Sequence, residues 1–219
     1  MASTNAELVT VDSQEPDPAV IRRAAESIRG GDLVILPTDT VYGLVCDPRR
    51  PEAVERVYRA KGRPRELPLA LLLRDMAQVG ELVEDVPEPA ARAMQHFWPG
   101  PLTVVLRDKS DITAAVRARG KTVGLRLPAH VVPRLVADRL GFPLASTSAN
   151  RSGQPAPTSA AQAVEQLGGV VQLVLDAGPA PFGQESTVVG FTEHPPRVLR
   201  AGGISSTRLR EVLGEVREK

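Results

Sequence analysis

An α/β fold, a mixed sheet covered by helices, is what this 219-residue sequence predicts. Two observations carry the prediction. Short apolar runs of strand length are interspersed with amphipathic stretches of helical period. The two kinds do not alternate strictly, as they would in an all-parallel sheet. No period of roughly 20–50 residues repeats and no linker divides the chain, so one domain with tails is expected. A hydrophobic content of 42% is ample for a core, and an aromatic content of 3% means that Val, Leu, Ala and Ile build it.

Residues 1–16 are polar and read as a loosely held segment, with a short strand expected at Leu8–Val11. Asp17-Pro18 then reads as N-cap and first helical residue, and Gly30-Gly31 as the stop. Between them Val20, Ile21, Ala24, Ala25 and Ile28 form one apolar stripe. The run DLVILP (32–37) ends in proline and reads as a buried strand. A second helix, over 51–60, carries Val54, Val57 and Tyr58 on one side and stops at Gly62; LPLALLL (67–73) is the next buried strand. Helical stretches at 75–84 and 87–97 lead to the turn Pro99-Gly100-Pro101. LTVVLR (102–107) reads as a strand, 111–119 as a short helix, TVGLRLP (122–128) as a strand and 130–140 as a helix. PLASTSAN (143–150) is a strand running into a polar loop. Helix 158–167, strands 170–176, 186–191 and 197–200, and helix 205–213 finish the chain.

Twenty-seven basic and 26 acidic residues give a net charge of +1, so no whole-molecule field advertises a nucleic-acid binder and any cationic site must be local. One cysteine, Cys46, reads as a small buried hydrophobe, excludes an intrachain disulfide and suits a reducing cytoplasm. The opening MASTNAELVTVDSQEPDP has neither the charged nor the apolar region of a secretory signal, and no apolar run approaches ~20 residues. A cytoplasmic protein with no membrane partner is expected. His96, His130 and His194 are scattered without ligand spacing and read as structural, so no metal held by side chains is expected.

Four cations, Arg59, Lys61, Arg63 and Arg65, lie within seven residues where a helix ends. Taken alone they read as a solvated helix end, where the dipole favours cations by ~0.3–1 kcal/mol, ahead of a ligand site. The polar segments PTDTVYG, GLRLP, STSAN, ESTVV and RAGG each border an apolar strand. In an open α/β sheet, loops at strand ends converge on one crevice, and a ligand site is expected there. Its inventory of hydroxyls, one amide, guanidiniums and an ammonium contains no nucleophile–base pair. It suits a polyanion and a small zwitterion better than an acyl-transfer substrate. Thr38, Asp39 and Thr40 also fit plain turn chemistry, and Ser146 to Asn150 a capped loop. Arg126 is harder to dismiss: flanked by Leu125 and Leu127, its head needs an acidic partner or a ligand if it is buried. AVRARGKT (115–122) imitates a phosphate loop, but a helix leads in and a strand leads out, the reverse of what that loop requires.

The segments LVILPTDTVYGLVCD, KGRP, PLALLL, FWPGPLTVVL, TVGLRLP, STSANRSGQPAPT, ESTVV and RVLRAGGIS, in this order, resemble the YrdC-like family of threonylcarbamoyl-adenylate synthases over roughly residues 18–207. The paired signature of that family, Lys-x-Arg with a later Ser-x-Asn, stands here as Lys61–Arg63 and Ser148–Asn150. The resemblance implies a twisted mixed sheet with a large, positively lined concave face. It divides the chain into a flexible segment at 1–16, a catalytic domain at 17–207 and a C-terminal helix or tail at 208–219, the short single-domain form. The implied reaction makes threonylcarbamoyl-AMP and pyrophosphate from L-threonine, bicarbonate or CO2, and ATP, the last with Mg2+ carried by its triphosphate. A threonylcarbamoyl transferase complex would take the product on to tRNA, itself an indirect partner.

By the same resemblance Lys61, Arg63, Ser148 and Asn150 are catalytic and, with Thr122 and Arg200, bind ATP. Thr40, Arg126, Ser146 and Ser186 bind threonine, Arg126 taking its carboxylate. Relatives often carry asparagine or lysine where Leu67 stands, and a histidine near the place of Leu72; these departures bear on one phosphate and one threonine contact. An RNA-binding module and an inactive paralogue on the same fold are the competing readings. Against the first stand the +1 charge and only seven aromatic residues; against the second, retention of both halves of the signature.

Overall fold

A computed structural model of the chain describes residues 6–117 and 120–218. Within them ten strands form one sheet: β1 (Glu7–Thr10), β2 (Val34–Leu36), β3 (Gly43–Cys46), β4 (Ala70–Leu72), β5 (Leu102–Arg107), β6 (Thr122–Arg126), β7 (Leu144–Ser148), β8 (Leu173–Asp176), β9 (Thr187–Gly190) and β10 (Arg197–Arg200). Their spatial order is β1-β8-β2-β3-β7-β4-β6-β5-β9-β10. Parallel pairs (β1·β8, β2·β8, β4·β6, β5·β9) mix with antiparallel ones, so the expected mixed sheet is found.

Seven helices flank it: α1 (Pro18–Gly30), α2 (Pro51–Lys61), α3 (Val79–Leu82), α4 (Glu88–Phe97), α5 (Val131–Leu140), α6 (Ala160–Leu167) and α7 (Ser206–Leu213). Their ends follow the sequence signals. Asp17 caps α1 by accepting from Ala19 N–H, and Gly31 ends it at φ +97°. His130 caps α5 through Nδ1, a structural role as expected.

Three expectations change. Gly43–Cys46 is a central strand, hairpin-paired with β2 and flanked by β7, although the sequence reading assigned no element there. The turn residues of PTDT hid it, and only four residues remain before the next turn. Residues 75–84 shorten to a 3-10 turn at Met76–Gln78 running into the one-turn α3. Of the helix expected at 111–119, Asp111–Thr113 is a 3-10 turn, while 118 and 119 lie outside the described residues. The strand expected near the N-terminus is present as β1, one residue earlier. Residues 1–5 of the leading segment and residue 219 of the tail also lie outside the described residues.

The two sheet faces differ in their cover. One buries Leu33, Ile35, Leu44, Cys46, Leu71, Val104, Leu125, Ala145 and Val189 under α2, α3, α4, α6 and α7. The other packs Val34, Leu36, Val45, Leu144, Leu173 and Leu175 against α1 and α5. That helix pair covers β8, β2, β3 and β7 and ends at Leu72 of β4. Beyond it, over β4, β6, β5, β9 and β10, the second face is lined by hydroxyls, small residues and arginines. The period-2 alternation of LTVVLR, TVGLRLP and LASTS produces this: Leu102, Val104 and Leu106, or Val123 and Leu125, enter the core, while Thr103, Thr122, Gly124, Arg126, Ser146 and Ser148 turn the other way.

Candidate functional site

A cavity of about 530 Å³ lies on that uncovered half-face. Segments at strand ends, Thr38 to Val41 and Glu185–Ser186, converge on it as expected, while its floor is the sheet itself: Thr122, Gly124, Arg126, Ser146 and Ser148 are strand residues on one face. Register assembles the floor in rows. Ser146 faces Ala70, Ala70 faces Gly124, and Gly124 faces Val105, a row of small side chains that leaves room above it. A Cβ on Gly124 would lie 3.3 Å from Thr103 Cγ2, and one on Gly43 3.3 Å from Ser146 Oγ, so both glycines keep the floor low. In the next row Leu72 faces Arg126, and Val188 faces both Thr103 and Arg200.

Arg200 reaches this face through a bulge. Val198 opposes Val189 on the core side, and two residues later Arg200 opposes Val188 on the cavity side. Without the extra residue, strand alternation would send Arg200 to the same side as Val198. Its guanidinium pairs with Glu185 (Nη1 to Oε1, 2.9 Å) and donates through Nη2 to the carbonyl of Ser186 at 2.9 Å and to its hydroxyl at 3.0 Å. Ser186 Oγ in turn lies 2.8 Å from Thr103 Oγ1. Gly202 clamps this corner: a Cβ there would sit 2.4–2.5 Å from the backbone of residues 185–187.

Arg126 is buried, and the partner that its sequence context demanded is Asp39: Nη2 donates to Oδ1 at 2.7 Å. Nη1 donates to Thr40 Oγ1 (2.7 Å) and Nε to the Gly100 carbonyl (3.0 Å). That carbonyl belongs to the proline turn, where a Cβ on residue 100 would come 2.5 Å from Phe97 O. Burial lowers the guanidinium pKa, Asp39 opposes the shift and Arg200 adds to it. A guanidinium has five N–H donors, and three are engaged; one N–H on each terminal nitrogen remains, a pair that a carboxylate can bridge.

Arg63, just past the end of α2, is half-buried and lines the cavity while donating to the carbonyls of Leu67 (3.2 Å) and Pro68 (3.1 Å). Its neighbour Lys61 goes elsewhere. Its Nζ donates to the carbonyls of Ser148 and Asn150 and, at 3.1 Å, to Asn150 Oδ1, so all three ammonium protons have acceptors. Asn150 Nδ2 is likewise engaged, with the carbonyls of Arg151 and Gln154. Lys61 is 3% exposed; burial and the Arg63 charge push its pKa down to about 7, with Glu185 opposing.

Of the residues expected at the site, Thr40, Arg63, Thr122, Arg126, Ser146, Ser148, Ser186 and Arg200 are brought to one cavity. Lys61 and Asn150 stand behind its wall, bonded to each other and to the strand end that carries Ser148. Leu67 and Leu72 also line the cavity, so the two departures are walls of the site. The sequence reading missed Thr103, Glu185 and Asp39 as participants. Thr103 was visible as the polar step in LTVVLR, and Glu185 headed a quoted segment. Asp39 had no signal separate from turn chemistry. Cys46 is buried as expected, its thiol pushed up to about 12 mainly by desolvation. Among the described residues no helix is long and apolar enough to cross a membrane, and no group of three or more His, Cys, Asp or Glu could hold a metal ion.

The chain is similar to known proteins along nearly its whole length. The Sua5/YciO/YrdC family model, described as telomere recombination, matches residues 26–202. The threonylcarbamoyl-AMP synthase of Pyrococcus abyssi is 42% identical over 198 residues, 90% of this chain and 58% of the relative. The Bacillus subtilis protein of the same name is 38% identical over 209 residues, 95% of this chain and 60% of the relative. The crystal structure of P. abyssi Sua5 complexed with L-threonine superposes with a TM-score of 0.93 at 37% identity, covering 98% of this chain and 63% of that one. The chain thus spans about three-fifths of the length of these relatives.

Proposed function

We infer the chemistry of the cavity from one premise: the chain belongs to the Sua5/YciO/YrdC family. The reading is an L-threonylcarbamoyladenylate synthase, a nucleotidyltransferase that makes threonylcarbamoyl-AMP and pyrophosphate from L-threonine, bicarbonate or CO2, and ATP. Its product would feed threonylcarbamoyladenosine modification of tRNA through a transferase complex, in the cytoplasm. The observation that carries this reading is the buried Arg126, two N–H groups to spare, sharing a cavity with Arg63 and Arg200. A carboxylate-bearing zwitterion and a polyphosphate are the ligands that such a set attracts.

The amine of threonine adds to CO2 and loses a proton to give a carbamate. A carbamate oxygen then attacks the α-phosphorus of ATP, and the bond to pyrophosphate breaks. Arg126 holds the α-carboxylate, with Thr40, Ser146 and Ser186 around the amino acid. Arg63, Thr122 and Ser148 take the phosphates, and Arg200 the nucleotide. Lys61 and Asn150 serve the phosphates at one remove, by fixing the strand end that presents Ser148. Catalysis is then positioning and charge stabilisation of the leaving pyrophosphate. Among the described residues Glu185 is the one carboxylate lining the cavity, and Arg200 pairs with it; in this reading Mg2+ would be carried by the triphosphate.

The test is formation of pyrophosphate and threonylcarbamoyl-AMP by the wild type, Lys61→Ala and Arg126→Ala. Turnover should need both threonine and bicarbonate, and each substitution should lower it by about 100-fold or more. A folded wild type with no threonine-dependent turnover would overturn the reading, leaving an inactive paralogue, or an RNA-binding module if it binds RNA.

A further inference from the structure

Asp39 has no part in the ligand contacts assigned so far, yet it is buried beside the cavity and bonded to Arg126. Its Oδ1 accepts from Arg126 Nη2 at 2.7 Å and from the Ala129 N–H at 3.1 Å, and its backbone carbonyl accepts from the Phe182 N–H at 2.9 Å. The carboxylate is therefore tied to the segment that follows β6 and, through the main chain, to the loop leading to Glu185 and Ser186. Its other oxygen, Oδ2, is the one buried side-chain polar atom without a hydrogen-bond partner among the described residues.

An unpaired buried carboxylate oxygen is costly, and an asparagine could accept the same two bonds through Oδ1 without burying a charge. What asparagine could not supply is the negative charge against Arg126. The two side chains are 5% and 7% exposed, so that charge acts with little solvent screening. With Asp39, Thr40 and Gly100 each taking one guanidinium nitrogen, the plane of the group is fixed at three points.

We infer that Asp39 is a positioning residue for a carboxylate-bearing substrate: it locks the Arg126 guanidinium in the orientation that offers its two unengaged N–H groups to the cavity. This rests on the threonine reading of the site, with the amino-acid carboxylate as the group received. Asp39 itself touches no substrate; its effect passes through Arg126.

Two measurements on the full chain test this. In steady-state kinetics, Asp39→Asn and Asp39→Ala should raise the KM for threonine by about tenfold or more, while kcat at saturating threonine and the KM for ATP stay within about twofold. A purely structural role would instead raise both KM values together or lower kcat. In 15N NMR of the ligand-free protein, the side-chain N–H signals of Arg126, assigned by their loss in Arg126→Lys, should be resolved and slow to rotate in the wild type and averaged in Asp39→Asn. Averaged signals in the wild type, or a threonine KM within twofold in both variants, would overturn the inference. Resolved signals that Asp39→Asn averages, from a wild type that does not respond to threonine, would sink the threonine reading and leave the Asp39 lock standing.

Discussion

Lys61 shows how one residue can satisfy a motif and still differ from its expected place. The sequence put it beside Arg63 as a phosphate ligand; the fold turns it inward, onto Ser148 and Asn150. The inversion has a measurable consequence. The folded-state pKa of about 7 lies below the ordinary 10.5, so between those values the unfolded chain holds the Lys61 proton and the folded chain has largely lost it. Stability should therefore rise with pH across that window, by at most about 1.4 kcal/mol per unit. Urea unfolding midpoints from pH 7 to 10 should show the climb in the wild type and a flatter line in Lys61→Met. Equal slopes would place the ammonium in a better solvated setting. Arg126 is the opposite case, because its sequence context alone demanded a buried partner, and Asp39 supplies it.

At the scale of elements, the strands were legible because their alternation is local. LTVVLR and TVGLRLP state which residues enter the core, and β5 and β6 obey. The β10 bulge was not legible, since RVLR reads as four residues of plain strand. The extra residue is visible only against β9, and it decides that Arg200 joins the cavity. The adjoining glycine pair holds that corner and gives a matched test. Gly202→Ala forces a Cβ to within 2.4–2.5 Å of backbone atoms that cannot yield, whereas on Gly203 the nearest atom is Pro101 Cβ at 3.4 Å. Gly202→Ala should cost about 1–3 kcal/mol or more in thermal unfolding and weaken ATP binding. Gly203→Ala should be nearly silent in both. A silent Gly202→Ala would mean that the 185–187 backbone is not pinned by this contact.

For the whole molecule, a net charge of +1 coexists with three arginines around one cavity, so the positive charge that the proposed polyphosphate would meet is local. Salt should separate the two proposed substrates. At a Debye length of about 10 Å in 0.1 M salt falling to about 3 Å at 1 M, ATP affinity should drop severalfold across that range. Threonine, a zwitterion at the buried Arg126, should change little. Calorimetric titration of each ligand at the two salt levels reads this directly, and a parallel loss of both affinities would place Arg126 among the solvent-screened charges. The architecture supplies the contrast: α1 and α5 cover one end of the second sheet face, and the rest remains open as a polar floor.

The sequence by itself determined the α/β class, most of the strands and helices, and the motifs whose side chains meet at the cavity. Each of these rests on near neighbours: a period of two or 3.6, a cap, a turn glycine, an arginine between leucines. The tertiary structure decided that a sheet face floors the site between those strand-end segments, that Lys61 and Asn150 turn to each other, and that Asp39 answers Arg126 across 87 residues of chain. Those choices depend on register between distant strands and on which buried charge finds which partner. Both are settled only when the ten strands are assembled.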